Sequence, residues 1–80
     1  MPTVLRWNGY RFYFFSNEGF EPPHIHVDKA GNTVKFWLEN AAVARNIGFS
    51  ARELAIIEEK VRVERSRFRE AWNEYFGNNA

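Results

Sequence analysis

Cysteine is absent from these 80 residues, which excludes disulfide staples, thiolate zinc sites and cysteine nucleophiles and gives no sign of an oxidising compartment. An excess of charge is lacking too. With 11 Lys+Arg against 10 Asp+Glu, the net charge is +1, so no global field draws the chain to nucleic acid or anionic lipid, and any such binding must be local. No apolar run approaches the roughly 18 residues of a membrane span, and no basic head precedes an apolar stretch at the N-terminus. No membrane partner is therefore expected, and the cytoplasm is the expected address. Glycine-rich phosphate loops, Ser-His-Asp arrangements and paired catalytic carboxylates are missing as well. What is present is aromatic: eight Phe, three Trp and three Tyr within a 45% hydrophobic composition. That is ample for a folded core, and the length fits one domain over residues 1–80.

The first part, residues 3–47, reads as strands and turns. Val4-Leu5-Arg6-Trp7 and Tyr10-Arg11-Phe12-Tyr13-Phe14-Phe15 flank Asn8-Gly9, the dipeptide best suited to a type I′ hairpin turn. A loop follows in which Pro22 and Pro23 deny backbone donors and stiffen the approach to the next strand. His24-Ile25-His26-Val27-Asp28-Lys29 alternates polar and apolar, turns through Ala30-Gly31-Asn32, and returns as Thr33-Val34-Lys35-Phe36-Trp37-Leu38. Ala42-Val43-Ala44-Arg45-Asn46 fits either a short strand or a loop. Beyond it, Ser50 with Glu53 three residues later is a capping box, and Leu54, Ile57, Val61, Phe68 and Trp72 recur on one helical stripe. Gly77 supplies the stop. One helix over residues 51–76, about 39 Å long, is expected, with residues 78–80 as a frayed tail. The fold expected is therefore α+β: two β-hairpins forming a four-stranded, mostly antiparallel sheet, with one long C-terminal helix packed across one face. Its core would be Leu5, Phe12, Phe14, Ile25, Val27, Val34, Phe36, Leu38, Leu54, Ile57, Val61, Phe68 and Trp72.

The chemistry concentrates on one strand. His24 and His26 are two apart, so both imidazoles leave the same face with Cα atoms about 6.5–7 Å apart, and Asp28 follows on that face. Hairpin pairing places Lys35, Trp37 and Glu39 beside them. Three readings stay open. In the first, metal-free phosphoryl transfer on RNA, one histidine removes a 2′-OH proton, the other protonates the leaving oxygen, and Arg11 or Lys35 stabilises charge on phosphorus. In the second the histidines are two metal ligands, with Glu18, Glu21, Asp28 or Glu39 as the third. In the third they are hydrogen-bonded strand residues without chemistry. The third carries the greatest prior weight, and of the two functional readings the first leads, with no metal and no cofactor expected.

Two helix features bear on partners. Arg62, Arg65 and Arg69 share one shoulder of the apolar stripe and are candidates for phosphate contacts, against the alternative that their stems lie over apolar edges and pair with acids such as Glu58. Ile56 and Val63 sit on the face away from the core stripe and are candidates for contact with a protein partner or for homodimerisation.

Several stretches together resemble one family: the opening Met1-Pro2-Thr3-Val4; Gly9-Tyr10-Arg11-Phe12-Tyr13-Phe14-Phe15-Ser16-Asn17-Glu18; Glu21-Pro22-Pro23-His24-Ile25-His26-Val27; Lys35-Phe36-Trp37-Leu38; and Glu70-Ala71-Trp72-Asn73-Glu74-Tyr75-Phe76. The resemblance is to the bacterial family called domain of unknown function 4160, and it covers essentially the whole chain. His24 and His26 match the family's histidine pair and Arg11 its strand arginine. The resemblance implies a small stand-alone protein, often encoded beside another small protein in a toxin–antitoxin-like pair. It names no reaction. The function expected is thus a toxin–antitoxin-type module acting on or binding RNA through the His-X-His face, with a cognate small protein among its partners. The alternative is a non-enzymatic interaction module, antitoxin-like or an inhibitor, that binds its partner through the helix.

Overall fold

A computed structural model describes residues 3–77. Strands β1 (Thr3–Trp7), β2 (Tyr10–Tyr13), β3 (His24–Lys29), β4 (Asn32–Trp37) and β5 (Ala42–Ile47) precede helices α1 (Ala51–Val63) and α2 (Arg65–Phe76). All five strands join one antiparallel sheet in chain order. The α+β class is as expected, and two of its details are corrected: the sheet has five strands rather than four, and the helix is two helices rather than one. The tail expected at residues 78–80 lies outside the described residues.

The fifth strand escapes sequence reading because its side chains do not alternate. It is an edge strand, with Val43 and Ile47 both exposed. Between Lys35↔Arg45 and Phe36↔Val43 the register shifts, so Ala44 is an extra residue that breaks the period of two. The helix break falls at Glu64, whose backbone sits at φ −98°, ψ 13°. Its N–H still donates to the Lys60 carbonyl at 2.9 Å, and its carbonyl accepts from Phe68 at 3.0 Å. The break in helical geometry leaves those two hydrogen bonds in place. It falls between Val61 and Phe68, one residue before the exposed Arg65.

Local signals explain the joints. Asn8 and Gly9 have φ of 51° and 82°, as a type I′ turn requires. Ala30 and Gly31 repeat that geometry, at 51° and 85°, and let β4 start one residue earlier than the alternation suggested. Ser50 caps α1, its hydroxyl accepting from the Glu53 N–H at 3.2 Å. The reciprocal half of the capping box is replaced, because the Glu53 carboxylate accepts instead from the Tyr10 hydroxyl at 3.0 Å.

One face of the sheet is covered by the helices. Phe12 stands opposite Val27, and Val27 opposite Val34, while Ile25 faces Phe36; all five are fully buried. Phe68 stacks on Phe12 with ring centroids 5.4 Å apart, and Trp72 meets Phe14 edge-on at the same distance. Of the expected core, only Leu5 and Leu54 are half-buried, at its margin. Tyr10, Ala41 and Phe49 join it, and Tyr13 and His24 are buried outside that cluster.

Candidate functional site

Strand alternation sends the other residues to the face the helices leave open. Across it, Tyr13 stands opposite His26, His26 opposite Lys35, and Lys35 opposite Arg45. The loop over residues 14–23 folds back along one side: its Glu21 N–H donates to the Glu18 carbonyl at 3.1 Å, and the Pro23 carbonyl accepts from Leu38 at 3.0 Å. Loop and sheet enclose a hollow of about 540 Å³ lined by Phe15, Glu18, His26, Lys35, Trp37 and Arg45 among others.

The two histidines, though on one face, have different surroundings. His24 is fully enclosed. Trp72 lies against it, with ring centroids 4.8 Å apart, and Trp37 meets it edge-on. Its Nδ1 is 2.9 Å from the Pro22 carbonyl and its Nε2 is 2.8 Å from Glu18 Oε1. His26 borders the hollow, stacked on Tyr13 and met edge-on by Phe15. Its Nε2 is 3.0 Å from the same Glu18 oxygen, to which Phe15 N–H also donates at 3.3 Å. Three nitrogens thus converge on one carboxylate oxygen. Among the described residues no buried side-chain polar atom lacks a partner.

The electrostatics follow from this packing. Burial alone would raise the Glu18 carboxyl, but hydrogen bonds from His24 and His26 outweigh it and hold the group below the usual carboxylate value. Burial pushes the His26 imidazole below the ordinary histidine value, against the upward pull of Glu18. The Tyr13 phenol is raised by burial and by its hydrogen bond to Asp28, 3.0 Å from both carboxylate oxygens.

The remaining candidates fall in three places. Lys35 reaches the hollow, with Nζ 2.6 Å from Glu21 Oε1 and 4.6 Å from the Trp37 ring centre. Arg11 is on the same face but lies over the Tyr13 ring at 4.4 Å and donates to the Thr3 hydroxyl at 2.9 Å, outside the hollow. Glu39 is in the β4–β5 turn, exposed. The arginine shoulder divides: Arg62 pairs with Glu58 at 2.7 Å, Arg65 donates to the Leu38 carbonyl at 2.5 Å and to that of Glu39, and Arg69 is exposed. Ile56 and Val63 are exposed, beside Trp7.

Sequence reasoning offered four acids as companions for the histidines: Glu18 meets both rings, and Glu21 Oε1 lies 3.7 Å from His24 Nδ1. It missed Arg45 and Phe15 as neighbours of the site. Arg45 lies on the strand without alternation. Phe15 follows β2 and turns into the loop wall, which no periodicity announces.

Fold and site together define a small α+β domain in which a five-stranded meander, roofed on one face by two helices, presents a His-His-Glu cluster at the edge of an open hollow. Residues 9–73 match the family described as domain of unknown function (DUF4160), and the chain belongs to that family. No curated protein and no solved structure matches it. No helix among the described residues is long and apolar enough to cross a membrane.

Proposed function

We propose that the chain binds RNA along the open sheet face, as the toxin–antitoxin-type module that its resemblance implies, and that the hollow beside His26 seats a nucleotide. The observation that carries this reading is the make-up of the hollow. Phe15, Trp37 and His26 line it with aromatic rings, while Lys35 and Arg45 stand opposite each other on adjacent strands. Bases stack on aromatic rings whatever their identity, and cations track the phosphates. A volume of about 540 Å³ suits a ligand of nucleotide size. Arg45 is exposed, whereas Lys35 must exchange Glu21 for phosphate. The two-histidine proton relay asks both rings to touch the substrate, and His24 is enclosed. In this reading His24 is a positioning residue, and binding is the part the geometry supports.

Fluorescence anisotropy of a labelled single-stranded oligoribonucleotide tests the proposal. Two phosphate contacts predict a log–log salt slope of about −1.4. Trp37→Ala should weaken binding about 5- to 150-fold, the loss of one base stack. A flat salt response, or unchanged affinity in Trp37→Ala, overturns the reading.

A second reading, self-association through the helix, rests on a specific observation. Ile56 and Val63 are 45% and 66% exposed. With Trp7 and Ala55 they line an almost wholly apolar hollow, beside which Lys60 lies over the Trp7 ring. Light scattering should give a dimer mass that falls to one chain when Ile56→Glu and Val63→Glu are combined. A wild-type mass of one chain overturns it.

A further inference from the structure

Binding RNA on the sheet face does not explain why three donor atoms converge on one point at its edge. His24 Nε2, His26 Nε2 and Glu18 Oε1 all lie within 4.8 Å of one another. The Pro22 carbonyl, 2.9 Å from His24 Nδ1, can only accept, so Nδ1 donates there and Nε2 is turned toward Glu18 Oε1, 2.8 Å away. A backbone carbonyl that fixes the tautomer and plane of an imidazole is the usual outer support of a metal-binding histidine. A dication among the donor atoms would draw on all three at once.

We propose that Glu18, His24 and His26, in the pattern Glu-X5-His-X-His, form a mononuclear site for a divalent transition-metal ion of the zinc class, with a fourth position open to the hollow. Two imidazoles and one carboxylate are a donor set that catalytic zinc sites use. Ligand bonds of about 2.0–2.2 Å place tetrahedral donors about 3.3 Å apart. The two N···O separations, 2.8 and 3.0 Å, therefore need to open by about 0.3–0.8 Å, and the two Nε2 atoms, within 4.8 Å of each other, need to settle at that same spacing. His24 closes the back of the site, while Glu18 and His26 line the hollow, so the open position faces the space where a nucleotide phosphate would lie. The inference deepens the reading of the hollow and rests on it only for what meets the ion from that side.

Tag-free, chelator-stripped full-length protein titrated with Zn²⁺ by calorimetry should bind one ion per chain and melt at a higher temperature with Zn²⁺ present. Co²⁺ should give the visible bands of a four-coordinate site. Glu18→Gln, which keeps the side-chain shape, and His26→Ala should each lose more affinity than the roughly 10- to 100-fold of an outer-shell change. Lys35→Ala should keep the site. His24 is left intact because its burial makes substitution a folding test, and circular dichroism confirms the fold of each variant. Absence of Zn²⁺ binding in the wild type, or full binding in both Glu18→Gln and His26→Ala, overturns the proposal. RNA anisotropy on chelator-stripped protein separates the two ideas. Zn²⁺ binding without RNA binding removes the sheet-face reading and leaves the ion, and RNA binding without Zn²⁺ binding does the reverse.

Discussion

Arg65→Ala is the substitution that best separates structural from phosphate-binding arginines. The Arg65 guanidinium donates Nε to the Leu38 carbonyl at 2.5 Å and Nη2 to the Glu39 carbonyl, pinning the start of α2 to the β4–β5 turn. Hydrogen bonds to charged groups contribute about 1.5–3 kcal/mol each, but Arg65 is exposed and water can replace part of the pair, so about 2 kcal/mol is the expected loss. For a domain this size, that lowers Tm by about 8–16 °C. Arg62, which pairs with Glu58 four residues earlier on the helix surface, supplies the comparison. Removing that exposed pair should cost no more than about 0.5 kcal/mol, or about 2–4 °C. Arg65→Lys should recover little, because an ammonium cannot fork to two carbonyls as a guanidinium does. Calorimetric melting of the four proteins in one buffer decides the matter. A Tm for Arg65→Ala no lower than that of Arg62→Ala would refute the carbonyl anchor. If RNA affinity fell in a salt-dependent way instead, phosphate binding by this shoulder would take its place.

Phe68→Ala removes a fully buried ring stacked on Phe12 and should cost about 3–5 kcal/mol. That is enough to leave so small a domain largely unfolded at 37 °C, and an ordinary denaturant transition would contradict it. Gly48→Ala should destabilise more than Gly31→Ala: both glycines have positive φ, but a Cβ at Gly48 collides with the Asn32 side chain, whose Cγ would lie 2.8 Å away, whereas at Gly31 it meets nothing within 4 Å. Equal urea midpoints would count against that ranking. Burial and the Glu53 hydrogen bond raise the Tyr10 phenol above its ordinary value of 10.0. A raised acid of this kind stabilises fully below its unfolded value and loses the contribution as pH climbs through the folded one. Stability should thus decline above about pH 10 more steeply in the wild type than in Tyr10→Phe; parallel curves would exclude Tyr10 as the cause.

Much of this architecture was legible, and the exceptions share a cause. β3 runs from His24 to Lys29 as its alternation indicates, and the Asn8-Gly9 turn, the Ser50 cap and both core stripes follow from periods of 2 and 3.6. These are local signals. β5 was ambiguous because an edge strand with a bulge and exposed Val43 and Ile47 has no inward face to betray it. The enclosure of His24 was beyond reach, since alternation says only that it shares a face with His26, while Trp72 and the loop that seal it arrive from elsewhere in the chain. Glu18 could be narrowed to four acids but not chosen, for a loop residue has no register. Arg65, by contrast, was readable in principle. A cation four residues after Val61 and three before Phe68 lies on the apolar stripe and needs an acceptor there, and the carbonyls ending β4 supply it.

The chain-order meander also dictates a sequence of events as the protein is made. Each strand pairs with the one just synthesised, so every closure spans a short loop and the sheet can zip together with little entropic delay. Its oily side, bearing Phe12, Ile25, Val27, Val34 and Phe36, nevertheless has no roof until residues 51–76 emerge. Both margins, β1 and β5, meanwhile expose backbone able to recruit another chain. A nascent polypeptide stalled before α2 would be the most adhesive species in this protein's life history. The two helices are thus the last safeguard against aggregation as well as the lid of the core.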